Sequence, residues 1–211
     1  MNINPISDQP HIDKIREALW TGGEYGRAAL MVGAGFSLNA RSESSSHIFY
    51  PDWSALMRSM VEEIVALGGD RTALQAMSRS ARGALRIAEE YVALHGRANL
   101  DAFLQAEIPD NHFQPSELHT KAMDLPWSDV FTTNWDTLLE RTVSQPIERR
   151  YSVVLEVTDI SYRRRPRIVK LHGSFPSNGP FILTEEDFRT YPKEFAPFVN
   201  LVQQSMMENV V

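Results

Sequence analysis

The stretch ALMVGAGFSLNA, Ala29 to Ala40, sets a short apolar run directly against the glycines Gly33 and Gly35. The apolar residues fit a buried strand, and glycine lets the backbone bend or pass close to a ligand. The pattern reads G-x-G-x-x-L, with Leu38 where the dinucleotide fingerprint of dehydrogenases needs its third small residue. An acid follows at Asp52, but its place before an apolar-periodic segment is that of a helix cap, not of a second strand end. A hydride-transferring enzyme is therefore disfavoured. A phosphate cradle and a plain turn both remain open at this point.

Outward from this bend, HIDKIREALWTGG places Ile12, Ile15 and Leu19 on one helical face and ends in glycines. The segment Asn39 to Tyr50 is polar and serine-rich, and it is expected to be poorly ordered without ligand and to close over one. Asp52 then caps a helix in which Trp53, Leu56, Met57, Met60, Val61, Ile64 and Val65 recur at helical spacing until Gly68 and Gly69. The pattern stays helical as far as Met123, with breaks at Gly96, Pro109 and Pro115, so most of 52–123 reads as a helical insertion. Its Met and Leu stripes need no explanation beyond bundle packing.

Strand character returns in PWSDVFTTNWDTLLERTV, with a strand at Asp129 to Thr132 and a helix expected from about Asn134. RPRIVKLHGSF reads as a strand entering a glycine turn. PFILTEEDFRTY reads as a strand leading to a helix, with Thr184 and Asp187 at capping-box spacing. FAPFVNLVQQSMMEN is a further helix. Strands alternating with helices imply a parallel α/β sheet. The expectation is a single Rossmann-like domain over 1–211, with flanking helices and the helical insertion.

Composition limits the chemistry. The chain has 211 residues and no cysteine, which excludes disulfides, thiolate zinc sites and a cysteine nucleophile. None of the six histidines has HExxH-type spacing, so no metal site is expected. A formal net charge of −6 argues against a general nucleic-acid surface, and an anionic ligand would have to be held by local N–H groups. No apolar run is long enough to span a bilayer, and the N-terminal MNINPISDQPHIDKI lacks a basic stretch followed by an apolar core. The expected location is the cytoplasm. The basic run YRRRPR, 162–167, reads as a solvated loop or as a docking surface for an acidic partner.

Ligands of parallel sheets bind beyond the carboxyl ends of the strands. Three such ends carry reactive residues: GAGFS at 33–37, TTNWD at 132–136 and KLHGS at 170–174. Taken singly, Asn134 and Asp136 could be helix caps, and His172 a satisfied turn histidine. Together with a glycine bend they make a site for cutting or rearranging a nucleotide.

In order and spacing, GAGFS, TTNWD and KLHGS resemble the motifs of the sirtuin family, and YPDW at 50–53 resembles its Pro-Asp-Phe-Arg stretch with Trp53 and Ser54 substituted. LPWSDVFTTNWDTLLE and PFILTEEDFRTY are similar to the sirtuin-like domains of bacterial antiphage defence systems. The resemblance implies NAD as substrate, cut at the nicotinamide–ribose bond. It places Gly33, Ala34, Gly35, Phe36, Ser37, Asp52, Trp53, Thr133, Gly173 and Ser174 around the dinucleotide. It makes Asn134 the residue that orients the ribose and a water. His172 becomes the general base, and Asp136 lies near the carboxamide or holds the loop. Deacylating sirtuins carry a four-cysteine zinc module that this chain cannot build, so water becomes the natural nucleophile and no metal is required. A zinc-free deacylase or ADP-ribosyltransferase, and a catalytically silent NAD-binding scaffold, remain as alternatives. The resemblance also implies a sensor or effector partner, Argonaute-like or helicase-like, and a possible homo-oligomer. SMMENVV reads as a helix end followed by the start of another strand, so the chain is expected to be a C-terminally incomplete piece of a longer protein.

Overall fold

The computed structural model describes residues 7–42, 50–144, 150–176 and 181–211. Its centre is a four-stranded parallel sheet in the order β1-β4-β6-β5, formed by Ala29–Val32 (β1), Asp129–Thr132 (β4), Ser152–Val154 (β5) and Arg167–Lys170 (β6). The expected Rossmann-like parallel α/β arrangement is present. A separate two-stranded ribbon pairs Arg41–Ser42 (β2) antiparallel with Phe113–Gln114 (β3). It takes the first part of the serine-rich segment out of the expected loop and puts a short strand into the region read as helical throughout. Residues 43–49 of that segment lie outside the described residues, and with them most of the expected lid.

Alternation along the strands buries both sheet faces. Val130 and Ile168 join Ala18 and Leu19 of α1 (Gln9–Leu19), Met123 of α7 (Glu117–Met123) and Leu139 of α8 (Leu138–Val143) in one cluster. Phe131 and Val169 point the other way, onto Phe198 and Leu201 of α10 (Ala196–Glu208). Burial on both sides is why the middle residues of β4 and β6, Val130, Phe131, Ile168 and Val169, are all apolar. Ile12 departs from the expectation: α1 buries Ala18 and Leu19, with Ile15 packed partly against them, and leaves Ile12 at 43% exposure.

A third cluster belongs to the insertion. Helices α3 (Trp53–Ala66), α4 (Arg71–Ser78), α5 (Gly83–His95) and α6 (Arg97–Glu107) bury Leu56, Met60, Ile64, Leu74, Ile87 and Leu104 together. Asp52 caps α3, accepting the Ala55 amide at 2.7 Å, and Gly96 makes the break before α6 with φ of +86°. Trp135, Phe175 and Phe181 enter the same cluster, so the helical layer sits over the carboxyl edge of the sheet. Two details differ from the sequence reading. Phe181–Leu183 is not a strand; its Ile182 amide donates to the His172 carbonyl at 3.1 Å, its Leu183 amide to Asp187 at 2.8 Å, and Arg97 donates to the Phe181 carbonyl while the Phe181 ring fills the helical core. Helix α8 begins at Leu138, four residues beyond Asn134, because the side chains between them are engaged elsewhere.

Thr184 and Asp187 do form the capping box of α9 (Glu185–Glu194), and Asp187 also receives Arg97 from the insertion at 2.7 Å. After α10 the chain returns to the sheet, where Val210 makes a parallel bridge to Ala28 on the outer side of β1. The four-residue helix α2 (Ala34–Ser37) follows β1 directly and carries the first site loop.

Candidate active site

The three loops converge at the carboxyl ends of β1, β4 and β6. Ser37 Oγ donates to Asp136 Oδ2 at 2.6 Å. Asn134 Nδ2 donates to Ser37 Oγ at 2.8 Å and to the Gly33 carbonyl at 2.9 Å, and the Asn134 amide donates to Thr132 Oγ1 at 3.1 Å. Asp136 Oδ1 accepts the Leu138 amide at 3.1 Å, a local bond that leaves Oδ2 for Ser37. Residues about a hundred positions apart thus form one hydrogen-bonded cluster. It lines a tight cavity of ≈ 40 Å³ together with Ala34, Asp52, Trp53, Thr133 and Trp135.

His172 lies one compartment away. A wider groove of ≈ 380 Å³ is lined by His172, Arg82, Leu85, Ile182, Leu183 and Phe188, and it shares Trp53, Thr133 and Trp135 with the cavity. Trp53 and Trp135 meet edge-on with centroids 5.7 Å apart, and Trp135 Nε1 donates to the His172 carbonyl at 2.9 Å. The His172 ring is held edge-on by Phe188 and Tyr191 at 5.3 and 5.6 Å. Its turn continues through Gly173 at φ of +93°, where a side chain would be strained.

Two of the dinucleotide residues named from the sequence face elsewhere. The Phe36 ring packs on His119 at 4.7 Å and against the sheet core, so only its backbone belongs to the loop. Ser174 is buried, with its hydroxyl donating to the Phe175 carbonyl at 3.1 Å and lying near Glu140. The glycines behave differently. Neither Gly33 nor Gly35 has positive φ, a Cβ on Gly35 would meet nothing within 4 Å, and one on Gly33 only Thr133 Oγ1 at 3.7 Å. The protein itself does not require glycine here. Close approach of a ligand to this backbone is the remaining physical reason for it.

Sequence reasoning passed over the support beneath the cluster. Lys170, 1% exposed, ends β6 with its ammonium on the Asp136 carbonyl and on Glu140 Oε1 at 3.0 Å. A lysine within the apolar run RIVKL was the available signal. Tyr50 lines the cavity with Asp136 and lies edge-on to Phe113; it stood in the YPDW motif with no role given to it. Buried His119 bonds through Nδ1 to Ser116. Burial holds its pKa below the usual histidine range, against the pull of Asp136.

Burial lowers the His172 pKa from 6.5 to about 4, with the nearby Asp187 carboxylate opposing the shift. The ring is therefore neutral at physiological pH and able to accept a proton. The same shift fixes a pH dependence of stability. Below 6.5 the unfolded chain takes the proton while the folded one does not, so stability falls as pH drops from 6.5 towards 4. The contribution is about 3 kcal/mol across that window. His172→Phe keeps a ring between Phe188 and Tyr191, and its unfolding free energy should fall less than the wild type's between these pH values. Chemical denaturation at both pH values measures it; identical losses in the two proteins would contradict the shift.

Residues 128–211, from β4 to the last residue, match the family described as SIR2-like domain. This part of the chain resembles that family. Its first motif, TTNWD, lies at the start of the match and KLHGS within it. The chain is also 26% identical over 199 residues to NAD(+) hydrolase ThsA of Acinetobacter baumannii (strain 532279), covering 93% of this chain and 36% of that protein. The chain thus spans about a third of the length of this curated relative. The stretch includes GAGFS and YPDW, N-terminal to the SIR2-like segment.

Proposed function

We propose that the domain is an NAD hydrolase that breaks the nicotinamide–ribose bond with water, releasing nicotinamide, ADP-ribose and a proton. The observation that carries the reading is the Ser37–Asn134–Asp136 cluster set beside glycines that the fold does not need. The ThsA relative, named an NAD(+) hydrolase, supports it. In this reading the backbone of Gly33 to Ser37 holds the pyrophosphate and the cavity takes the nicotinamide end. The bond from ribose C1′ to the ring nitrogen breaks with its electron pair, so the ring leaves neutral and positive charge builds on the ribose. Asn134 orients the ribose and the water. His172, neutral at the working pH, takes the proton of the water or of a ribose hydroxyl as the new C1′–oxygen bond forms. The proposal extends to NAD depletion in antiphage defence in the cytoplasm, with a sensor or effector partner and a homo-oligomer, on the resemblance of the sequence alone. Among the described residues no helix is long and apolar enough to cross a membrane.

A second reading draws on the groove beside His172. A deacylase or ADP-ribosyltransferase needs an acceptor groove there, and one of ≈ 380 Å³ is present. Incubating the full-length protein with NAD, with and without an acylated peptide, separates the two. The hydrolase releases nicotinamide and ADP-ribose in equal amounts without peptide. Release only with peptide would transfer the assignment to the second reading, and no release in either case would leave an NAD-binding scaffold.

A further inference from the structure

The turn that carries Asn134 runs beside the turn that carries His172, and three bonds along it come from residues 170–175. The Thr132 carbonyl accepts the Leu171 amide at 2.9 Å, and the Trp135 carbonyl accepts the Phe175 amide at 2.8 Å. The Asp136 carbonyl accepts the Lys170 ammonium. The first two are backbone bonds that any residue could make. The third comes from a buried side chain and depends on the residue being lysine. Lys170 and Thr132 are register partners on neighbouring parallel strands, so their side chains leave the sheet on the same face. Thr132 uses that position to accept the Asn134 amide at 3.1 Å, and Lys170 reaches two residues further.

The Asp136 carbonyl is where the turn must give way to helix α8. The helix takes up the chain one residue later, at the Thr137 carbonyl, which accepts the Arg141 amide at 2.9 Å. Asp136 is buried, and a buried carbonyl needs a donor. Lys170 supplies it from the sheet, so Asp136 stays outside the helix and its carboxylate bonds crosswise. Oδ1 accepts the Leu138 amide at 3.1 Å and Oδ2 the Ser37 hydroxyl at 2.6 Å, while Ser37 Oγ accepts from Asn134 Nδ2 at 2.8 Å. Glu140 Oε1, 3.0 Å from the ammonium, is the counter-charge that a buried cation requires. We propose that Lys170 is a positioning residue of the site, whose ammonium holds the Asp136 carbonyl in the turn and so sets the carboxylate for Ser37 and Asn134. Glu140 neutralises the cation and takes no part in the positioning. The kinetic consequence rests on the NAD-hydrolase reading; the structural consequence does not.

Two variants of the full-length protein separate the carbonyl bond from the ion pair. Lys170→Met with Glu140→Gln removes the cation together with its counter-charge, so no buried charge is left unpaired, and takes the donor from the Asp136 carbonyl. Glu140→Gln alone keeps that donor. The first measurement is exchange of the Asn134 side-chain amide protons by NMR, expected to be about tenfold faster in the double variant and unchanged in Glu140→Gln. The second is nicotinamide release, with kcat expected to fall about tenfold in the double variant at constant KM for NAD, and to stay at the wild-type value in Glu140→Gln. Amide exchange in the folded double variant equal to the wild type's overturns the proposal, whatever the activity. Glu140→Gln behaving like the double variant also overturns it, because the site would then need the ion pair and not the carbonyl bond. So does a double variant that fails to fold, because Lys170 would then serve the fold as a whole. A wild type without nicotinamide release refutes the hydrolase reading, while the amide exchange still decides the role of Lys170.

Discussion

Alanine at Asn134 or at His172 should lower NAD cleavage by about 10²–10⁴-fold, the usual worth of a positioned proton acceptor or its orienting partner. The two substitutions should fail for different reasons. Asn134→Ala removes two donors and leaves the Gly33 carbonyl and Ser37 Oγ without them, so some loss of stability, about 1–3 kcal/mol, accompanies the loss of rate. His172→Ala takes a ring out from between Phe188 and Tyr191, yet its backbone carbonyl still receives Trp135 and Ile182. The turn that carries it should therefore survive. Single-turnover nicotinamide release, read beside the thermal midpoint of each variant, makes the distinction. Substantial turnover by folded His172→Ala would remove the imidazole from the reaction and leave water activation to Asn134 alone. Substantial turnover by both would remove the whole catalytic assignment.

What the sequence made legible was local. The strand at Asp129–Thr132 has the bounds its apolar run suggested, and the caps at Asp52 and Thr184 stand where the spacing put them. The misses have one physical origin, which is that a side chain's partner far along the chain decides its role. Asn134 and Asp136 looked like the start of a helix, but their bonds to residues 33 and 37 hold the chain in a turn until Leu138. Phe181 sat in a strand-like run, and its burial in the helical cluster overrides that preference. The strand Ser152–Val154 is only three residues long with one of them buried, too short for alternation to register. Of the site, the reactive residues were legible because they lie in contiguous motifs. Lys170, which holds the Asp136 carbonyl from below, and Tyr50, which walls the cavity, have signals that only three-dimensional pairing makes readable.

The basic run 162–167 shows the same effect with the largest consequence for stability. Tyr162 is 82% exposed and Arg163 and Arg164 are exposed too, as a solvated loop requires. Arg165 and Arg167 turn inward. Asp129, fully buried at the start of β4, accepts Arg167 Nε at 2.8 Å, Arg165 Nε at 2.9 Å and Ser205 Oγ at 3.2 Å. Asp129 and Arg167 are register partners on neighbouring parallel strands, so their side chains leave the sheet on the same face, towards α10. Arg165 also reaches Glu208 at 2.8 Å, near the end of that helix. One carboxylate thus joins two strands to a helix. Removing it would strand the buried Arg167 guanidinium without a counter-charge, and such a break costs about 3–5 kcal/mol. Against the ~5–15 kcal/mol that holds a typical domain folded, that is a large share. Asp129→Ala should therefore show a much lower urea midpoint. Asp129→Leu combined with Arg167→Met replaces charge by volume on both sides and should recover most of the loss, because the penalty arises from the unpaired charge and not from the missing contact. Additive losses in the double variant, or an Asp129→Ala protein within 1 kcal/mol of the wild type, would mean that water reaches this corner and that the pair is a surface one.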